Sequence, residues 1–220
     1  MRKLLLSIAA LVCTVSVSAQ RASSSSSSFF STEKAEQPIT FGVRGGVNFA
    51  GMSGSDADDL DGRVGFNFGV NVDIPLLQSL YLQTGLYATQ KGWKYEENYE
   101  DEKYELKANP LYLEVPVLAS YRYNFSDAVQ LQFNVGPYFA YGIAGKVKLS
   151  DSEEEYKEDY FGDDDDQAGG KRFDVGLQVG TGVTIKKFFV GCAYEFGFAK
   201  AVEDSNAKNT NFMVNVGYNF

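Results

Sequence analysis

The sequence has no histidine, and its 220 residues include only two cysteines, one tryptophan and five prolines. Without an imidazole there is no Ser-His-Asp or Cys-His triad and no His-based zinc site. One cysteine, Cys13, lies in the N-terminal apolar stretch, so Cys192 has no partner for an intramolecular disulfide. Long hydrophobic runs are missing as well. The longest, within "MRKLLLSIAALVCTVSVSA" (1–19), is too short to span a bilayer as a helix. With Arg2 and Lys3 before it and Val17-Ser18-Ala19 after it, the stretch reads as a secretory leader. Val12 is too bulky for Cys13 to be a lipoprotein cleavage site. Losing Arg2 and Lys3 with the leader deepens the net charge of −9 to about −11, which argues against binding nucleic acid.

Residues 20–39 are Ser-rich and without period, which predicts a flexible tether. From Thr40 onward the chain is built almost wholly of alternating segments, and nothing of helical period is long enough to use. Eight segments are expected, at 40–50, 63–74, 80–91, 111–124, 129–144, 172–185, 188–199 and 210–220. In the second, Val64, Phe66, Phe68, Val70, Val72 and Ile74 oppose Asn67, Asn71 and Asp73. In the last, Phe212, Val214, Val216, Tyr218 and Phe220 oppose Asn211, Met213, Asn215 and Asn219. Connections after the second, fourth and sixth segments are short, and the others are long and polar. An even number of antiparallel strands with this alternation of connections is the layout of an outer-membrane barrel, with both termini on the periplasmic side.

A soluble eight-stranded calyx holding a greasy ligand would also alternate, with its apolar face inward. The polar face here is mostly Gly, Asn, Gln and Ser, which suits a crowded interior better than a water-facing exterior. Trp93, Tyr95, Tyr99 and Tyr104 gather at the long-loop end, and Tyr121, Tyr123, Phe125, Phe188, Tyr218 and Phe220 at the other. Two such belts match the two interfaces of a bilayer. The fold class expected is therefore all-β: an eight-stranded antiparallel up-and-down transmembrane barrel over residues 40–220. Pro116 and Pro137 fall inside strand patterns and predict bulges or register breaks.

The stretches "FGVRGGVNFAGM" (41–52), "LYLEVPVLASYRY" (111–123) and "FDVGLQVGTGV" (173–183), with the Phe220 end, resemble the PorT-like outer-membrane β-barrel proteins of Bacteroidota-type bacteria. The resemblance spans about residues 40–220, and "YLEVPVLASYRY" is its most specific part. It implies an eight-stranded outer-membrane barrel and neither an enzyme nor a cofactor. The founding member takes part in protein secretion across the outer membrane. A strand ending in phenylalanine also resembles the signal read by outer-membrane assembly machinery.

Inward charges are expected at Arg44, Arg63, Asp73, Glu114, Arg122, Asp174 and Glu195. Counted from the short-turn end, Asp73 and Arg122 lie low, Arg44 and Glu195 in the middle, and Arg63, Glu114 and Asp174 high. Each tier can hold an opposite pair, replacing lost hydration and fixing packing. Eight strands leave an interior just filled by side chains, which argues against an open pore. The third long connection (150–170) carries ten acids and one lysine, and the second adds six acids over 94–105. A solvated, mutually repelling loop is expected there. Asp163, Asp164, Asp165 and Asp166 are candidates for a divalent cation bridging to lipopolysaccharide. "DADDLDG" (56–62) departs from an EF-hand loop at Leu60 and Gly62. Cys192 reads as a small apolar filler on the lipid face. The function expected is non-enzymatic and structural or interactive, with a narrow ion or solute channel as the alternative and a lipocalin-like carrier as a remote one. A lipid hydrolase is disfavoured because its usual base is missing.

Overall fold

The computed structural model describes residues 35, 37–57, 60–99, 102–150, 155–161, 169–202 and 205–220. Twelve strands run β1 (Thr40–Ser53), β2 (Asp61–Pro75), β3 (Leu80–Gln90), β4 (Trp93–Tyr99), β5 (Glu102–Ala108), β6 (Leu111–Ser126), β7 (Val129–Ala144), β8 (Lys146–Ser150), β9 (Glu155–Asp159), β10 (Phe173–Ile185), β11 (Phe188–Lys200) and β12 (Lys208–Asn219). Eight of them form a ring in the order β1-β12-β11-β10-β7-β6-β3-β2, closed because β1 also pairs with β2. Every pairing in the ring is antiparallel. These eight are the segments expected from the alternation, with ends displaced by three residues or fewer.

The polarity of the ring is inverted relative to a water-soluble barrel. Val64, Phe68, Val216 and Phe188 are 59–66% exposed, whereas Asn48, Asn71 and Glu195 are at 0%. An outer wall of Phe, Val and Leu around a packed interior of Asn, Gln and ionic groups is stable only if the wall meets hydrocarbon. The calyx reading fails on this geometry. At the short-turn end Tyr123, Phe125, Phe188 and Phe220 stand exposed on the outer wall, as an interfacial belt requires. Turns there are tight: Asp127-Ala128 joins β6 to β7, and Lys186-Lys187 joins β10 to β11, with Lys186 at φ 57°.

Two expectations need correction. Neither proline breaks the register: β6–β7 shifts fall at Leu111/Tyr112 and Asn124/Ser126 instead. Pro116 lacks an N–H toward β3, and the β3–β6 ladder skips from Thr84↔Val117 to Tyr87↔Glu114. Thr84 Oγ1 donates to the Pro116 carbonyl at 2.8 Å and covers the gap. The second and third long connections also contain regular structure. β4–β5 and β8–β9 are hairpins, and β5–β8 pairing joins them into a four-stranded sheet that grows from the β2 edge at Asp61↔Lys94. A repelling loop is thus overturned for residues 155–161. The leader, most of the tether and Asp163–Asp166 lie outside the described residues.

The first and last long connections are also tied together. The Asp56 carboxylate accepts from the Asn206 N–H at 2.7 Å, Ser55 Oγ at 3.0 Å and Ser205 Oγ at 3.4 Å. The Asn206 bond, first among these donors, holds the Asp56 carboxyl below the usual aspartate range. A depressed carboxyl contributes stability above its unfolded-state pKa and loses it as pH falls through the folded value. The Asn206 amide resonance is therefore expected to titrate with a midpoint below about 3.9. A midpoint at or above that value would show that the contact does not form in solution. A second prediction tests the wall. Val214 lies mid-strand on the outer face, and Val214→Arg is expected to cost about 2–4 kcal/mol in denaturant unfolding from phospholipid bilayers. A cost near zero would mean that this face meets water.

Candidate functional site

The interior polar residues follow from strand parity, and they sort into two charged tiers. In the lower tier Arg122 Nη2 lies 2.7 Å from Asp73 Oδ2. Gln83 Nε2 donates to the other Asp73 oxygen at 2.7 Å, and Gln83 Oε1 accepts from Arg44 Nη1 at 3.1 Å. Arg122 lies over the Tyr81 ring at 4.1 Å and Arg44 over Phe189 at 3.9 Å. The expected low pair, Asp73 with Arg122, is present. Arg44 instead spends its charge on an amide and an aromatic face, and does not pair with Glu195.

Glu195 belongs to the upper tier, whose centre is a residue that the tier count overlooked. Lys91 Nζ lies 3.1 Å from Glu114 Oε2, 3.0 Å from Asp174 Oδ2 and 3.1 Å from Glu195 Oε2, with all four side chains at 3% exposure or less. Asp174 also accepts from Tyr138 Oη at 3.3 Å and Asn209 Nδ2 at 3.2 Å, and Glu195 from Asn211 Nδ2 at 3.3 Å. The ammonium sits 4.2 Å from the Tyr138 ring centroid. Gly176 makes room for that ring, since a Cβ there would come within 2.7 Å of it. Three carboxylates converging from β6, β10 and β11 on one ammonium tie distant parts of the barrel wall together. Lys91 shares the odd parity of Tyr81, Gln83 and Thr89, so the signal was present. It was obscured because Gly92 and Trp93 follow, and the strand pattern stops there. Arg63, expected beside Glu114 and Asp174, stands half-buried at the rim and donates to the Ala108 carbonyl at 3.4 Å.

Above Lys91 an apolar roof closes the mouth. Tyr160 and Phe161, after β9, fold inward onto Tyr112, Tyr138, Ala108, Ala140 and Val147, with Trp93 and Leu106 packed against them. Phe161 meets Tyr112 edge-on at 5.5 Å and Tyr160 edge-on at 4.9 Å. Gly142 leaves the space that the Phe161 ring occupies. Arg172 donates to the Gly142 carbonyl at 3.1 Å and to the Phe161 carbonyl at 3.4 Å, latching the segment down. Trp93 therefore serves the roof, and not the lipid interface expected for it. Between the tiers remains a cavity of about 40 Å³ beside Arg44, Gln83, Glu114 and Met213, room for very few waters. Among the described residues, no group of three or more His, Cys, Asp or Glu is placed to hold a metal ion. The only convergence of carboxylates described above already has Lys91 at its centre.

A family model described as an outer membrane protein beta-barrel domain matches residues 19–203. No curated protein matches the sequence. Among solved structures, the chain is similar to Ail, the attachment invasion locus protein of Yersinia pestis, at 16% identity, covering 84% of this chain and 100% of that one with a TM-score of 0.41. It is similar to Neisserial surface protein A at 14% identity, with coverage of 84% and 100% and a TM-score of 0.43.

The upper tier yields a further prediction. Lys91→Met leaves three buried carboxylates facing one another without a cation, and is expected to cost about 3–5 kcal/mol of unfolding free energy. Replacing Glu114, Asp174, Glu195 and Lys91 together by Gln, Asn, Gln and Met is expected to cost less than the single change. Equal or greater cost in the fourfold variant, measured by urea titration in the same bilayer, would show that the ammonium does not compensate these charges.

Proposed function

The chain belongs to the outer membrane protein beta-barrel domain family, and from that premise we propose that it is a closed, non-enzymatic barrel that anchors and displays the β4-β5-β8-β9 sheet outside the cell. The observation that carries this reading is the sealed mouth. Tyr160 and Phe161 cap a fully occupied charged tier, so the strands surround packing and not a path. In this reading the short turns and both termini face the periplasm, and the Ser-rich segment is a tether on that side. The charged tiers hold the wall rigid so that the sheet stands at a fixed height. The Phe220 end is the part that assembly machinery would read.

The resemblance to PorT-like proteins supports a finer proposal: the displayed sheet works with secretion or envelope proteins. Lipopolysaccharide surrounds the sheet in either case. The rival is a narrow channel, and the two differ in one measurement. Purified protein in planar bilayers is expected to give no discrete conductance steps in potassium, sodium or calcium chloride across ±100 mV (a range set at about the scale of membrane potentials). Reproducible unitary steps that disappear when the protein is heat-denatured would overturn the closed-barrel proposal.

A further inference from the structure

The two faces of the β4-β5-β8-β9 sheet differ in a way that its register makes explicit. On one face Tyr95, Leu106, Leu149 and Tyr156 face one another in sequence across the four strands. Trp93, Leu106 and Val147 on this face pack into the roof of the mouth, so its base turns inward, while Leu149 and Tyr156 farther out are exposed. On the other face Lys94 faces Lys107, Lys107 faces Lys148, and Lys148 faces Lys157. With strands about 4.8 Å apart, four lysine positions line up over about 14 Å. This face follows closely on the lipid-facing wall in the chain: Lys107 lies next to the end of β5 at Ala108, and β6 begins at Leu111.

Three consecutive like-charge pairs directly opposite one another weaken a sheet. Carboxylates offset part of this. Glu96 Oε1 lies 3.1 Å from Lys94 Nζ, and Glu105 Oε2 lies 2.7 Å from Lys107 Nζ. Asp61 Oδ2 stands 3.5 Å from Lys94 at one end of the row. Glu96 and Glu105 face each other one step farther from the barrel than the lysines. On this face the lysine row is nearer the barrel than Glu96 and Glu105, with Asp61 at its end and a Lys146–Asp159 pair of positions one step nearer still. A layer of negative charge just above the outer wall fits that order, and a protein surface approaching from above would meet the glutamates first.

We infer that the Lys94-Lys107-Lys148-Lys157 row docks on the phosphate groups of outer-leaflet glycolipid, the bisphosphorylated lipid A headgroup of lipopolysaccharide. This rests on the proposal that the long connections face outward. The ammonium groups approach lipid phosphates directly, with no bridging cation, and the strand register fixes their spacing before any lipid arrives. Attraction of this kind is screened by salt. The Glu96 and Glu105 carboxylates compete for Lys94 and Lys107, and Lys148 and Lys157 also have contacts to exchange, which moderates the affinity.

Bisphosphorylated lipid A and its dephosphorylated form, titrated into the detergent-solubilised full chain, provide the test. The wild type is expected to bind the phosphorylated form at least about tenfold more tightly than the other. Replacing all four lysines by Gln is expected to remove that preference, whereas replacing all four by Arg keeps it. Replacing Glu96 and Glu105 by Gln is expected to tighten binding. Heat-dependent gel mobility verifies that each variant is a folded barrel. Lys186→Gln with Lys187→Gln, at the opposite end, is expected to change nothing. Displacement of the lipid by millimolar inorganic phosphate would make the row a free-phosphate site and overturn the proposal. So would an unchanged preference in the four-Gln variant. Labelling of Ser55→Cys by a membrane-impermeant maleimide in intact cells reports orientation separately. No labelling overturns the outward orientation and this inference with it, while labelling together with an unchanged four-Gln variant overturns the docking row alone.

Discussion

Hydrocarbon offers no hydrogen-bond partner, so every backbone N–H and C=O that enters it must be paired within the protein. β1 bonds both β12 and β2, leaving the ring without a free edge. The inverted polarity follows from the same constraint. Once the strands close, alternate side chains have only two destinations, acyl chains or a narrow lumen. The lumen of eight strands is too small to be filled with water at liquid density. It must be packed with side chains, and these must satisfy one another. Asn48 illustrates the cost of doing so: its amide donates to the Phe66 and Gln90 carbonyls at 2.9 and 3.0 Å.

Ionic groups inside such a lumen hold distant strands in fixed relation. Asp73 on β2 meets Arg122 on β6, and Gln83 on β3 carries the chain of contacts to Arg44 on β1. Lys91 gathers β6, β10 and β11 from the end of β3. The barrel is braced across its interior at two heights, while each ladder braces only neighbours. The roof depends on this bracing, because Tyr112 and Tyr138 present their rings upward from the walls that the upper tier fixes.

The barrel was legible because one physical rule acts on every residue of it. Lipid on one side and a packed lumen on the other write a period of two into each strand, and the eight segments emerge with ends nearly right. The charged tiers were legible in part. Asp73 and Arg122 sit within long, clear alternations, and counting residues from a common end places them together. Lys91 failed because the alternation ends beside it, though its parity was correct. Arg63 failed for the converse reason: parity and height placed it inward, but the rim is wide enough for it to remain half-exposed. Where the acidic connections are described, their strands were missed because composition was taken as the deciding quantity. Over residues 104–108 and 146–149, a second alternation of apolar and charged residues runs beside the acidity. Pairing of Tyr95 with Leu106, and of Leu106 with Leu149, exploits it.

That second alternation obeys a different rule from the first. In the membrane, the outward side chains are apolar because lipid is. Above it, the same outward face carries Lys94, Lys107, Lys148 and Lys157, and the inward face turns apolar to seat on the roof. The sheet and the wall thus exchange the polarity of their two faces at the rim of the barrel. A wall that only needed to end would do so in a short turn, as it does at Asp127-Ala128 and Lys186-Lys187. Here it continues for two hairpins, and its inner face closes the barrel with Tyr160 and Phe161. Closing the mouth and carrying the lysine row are thus performed by the same four strands, so a change that loosens one disturbs the other.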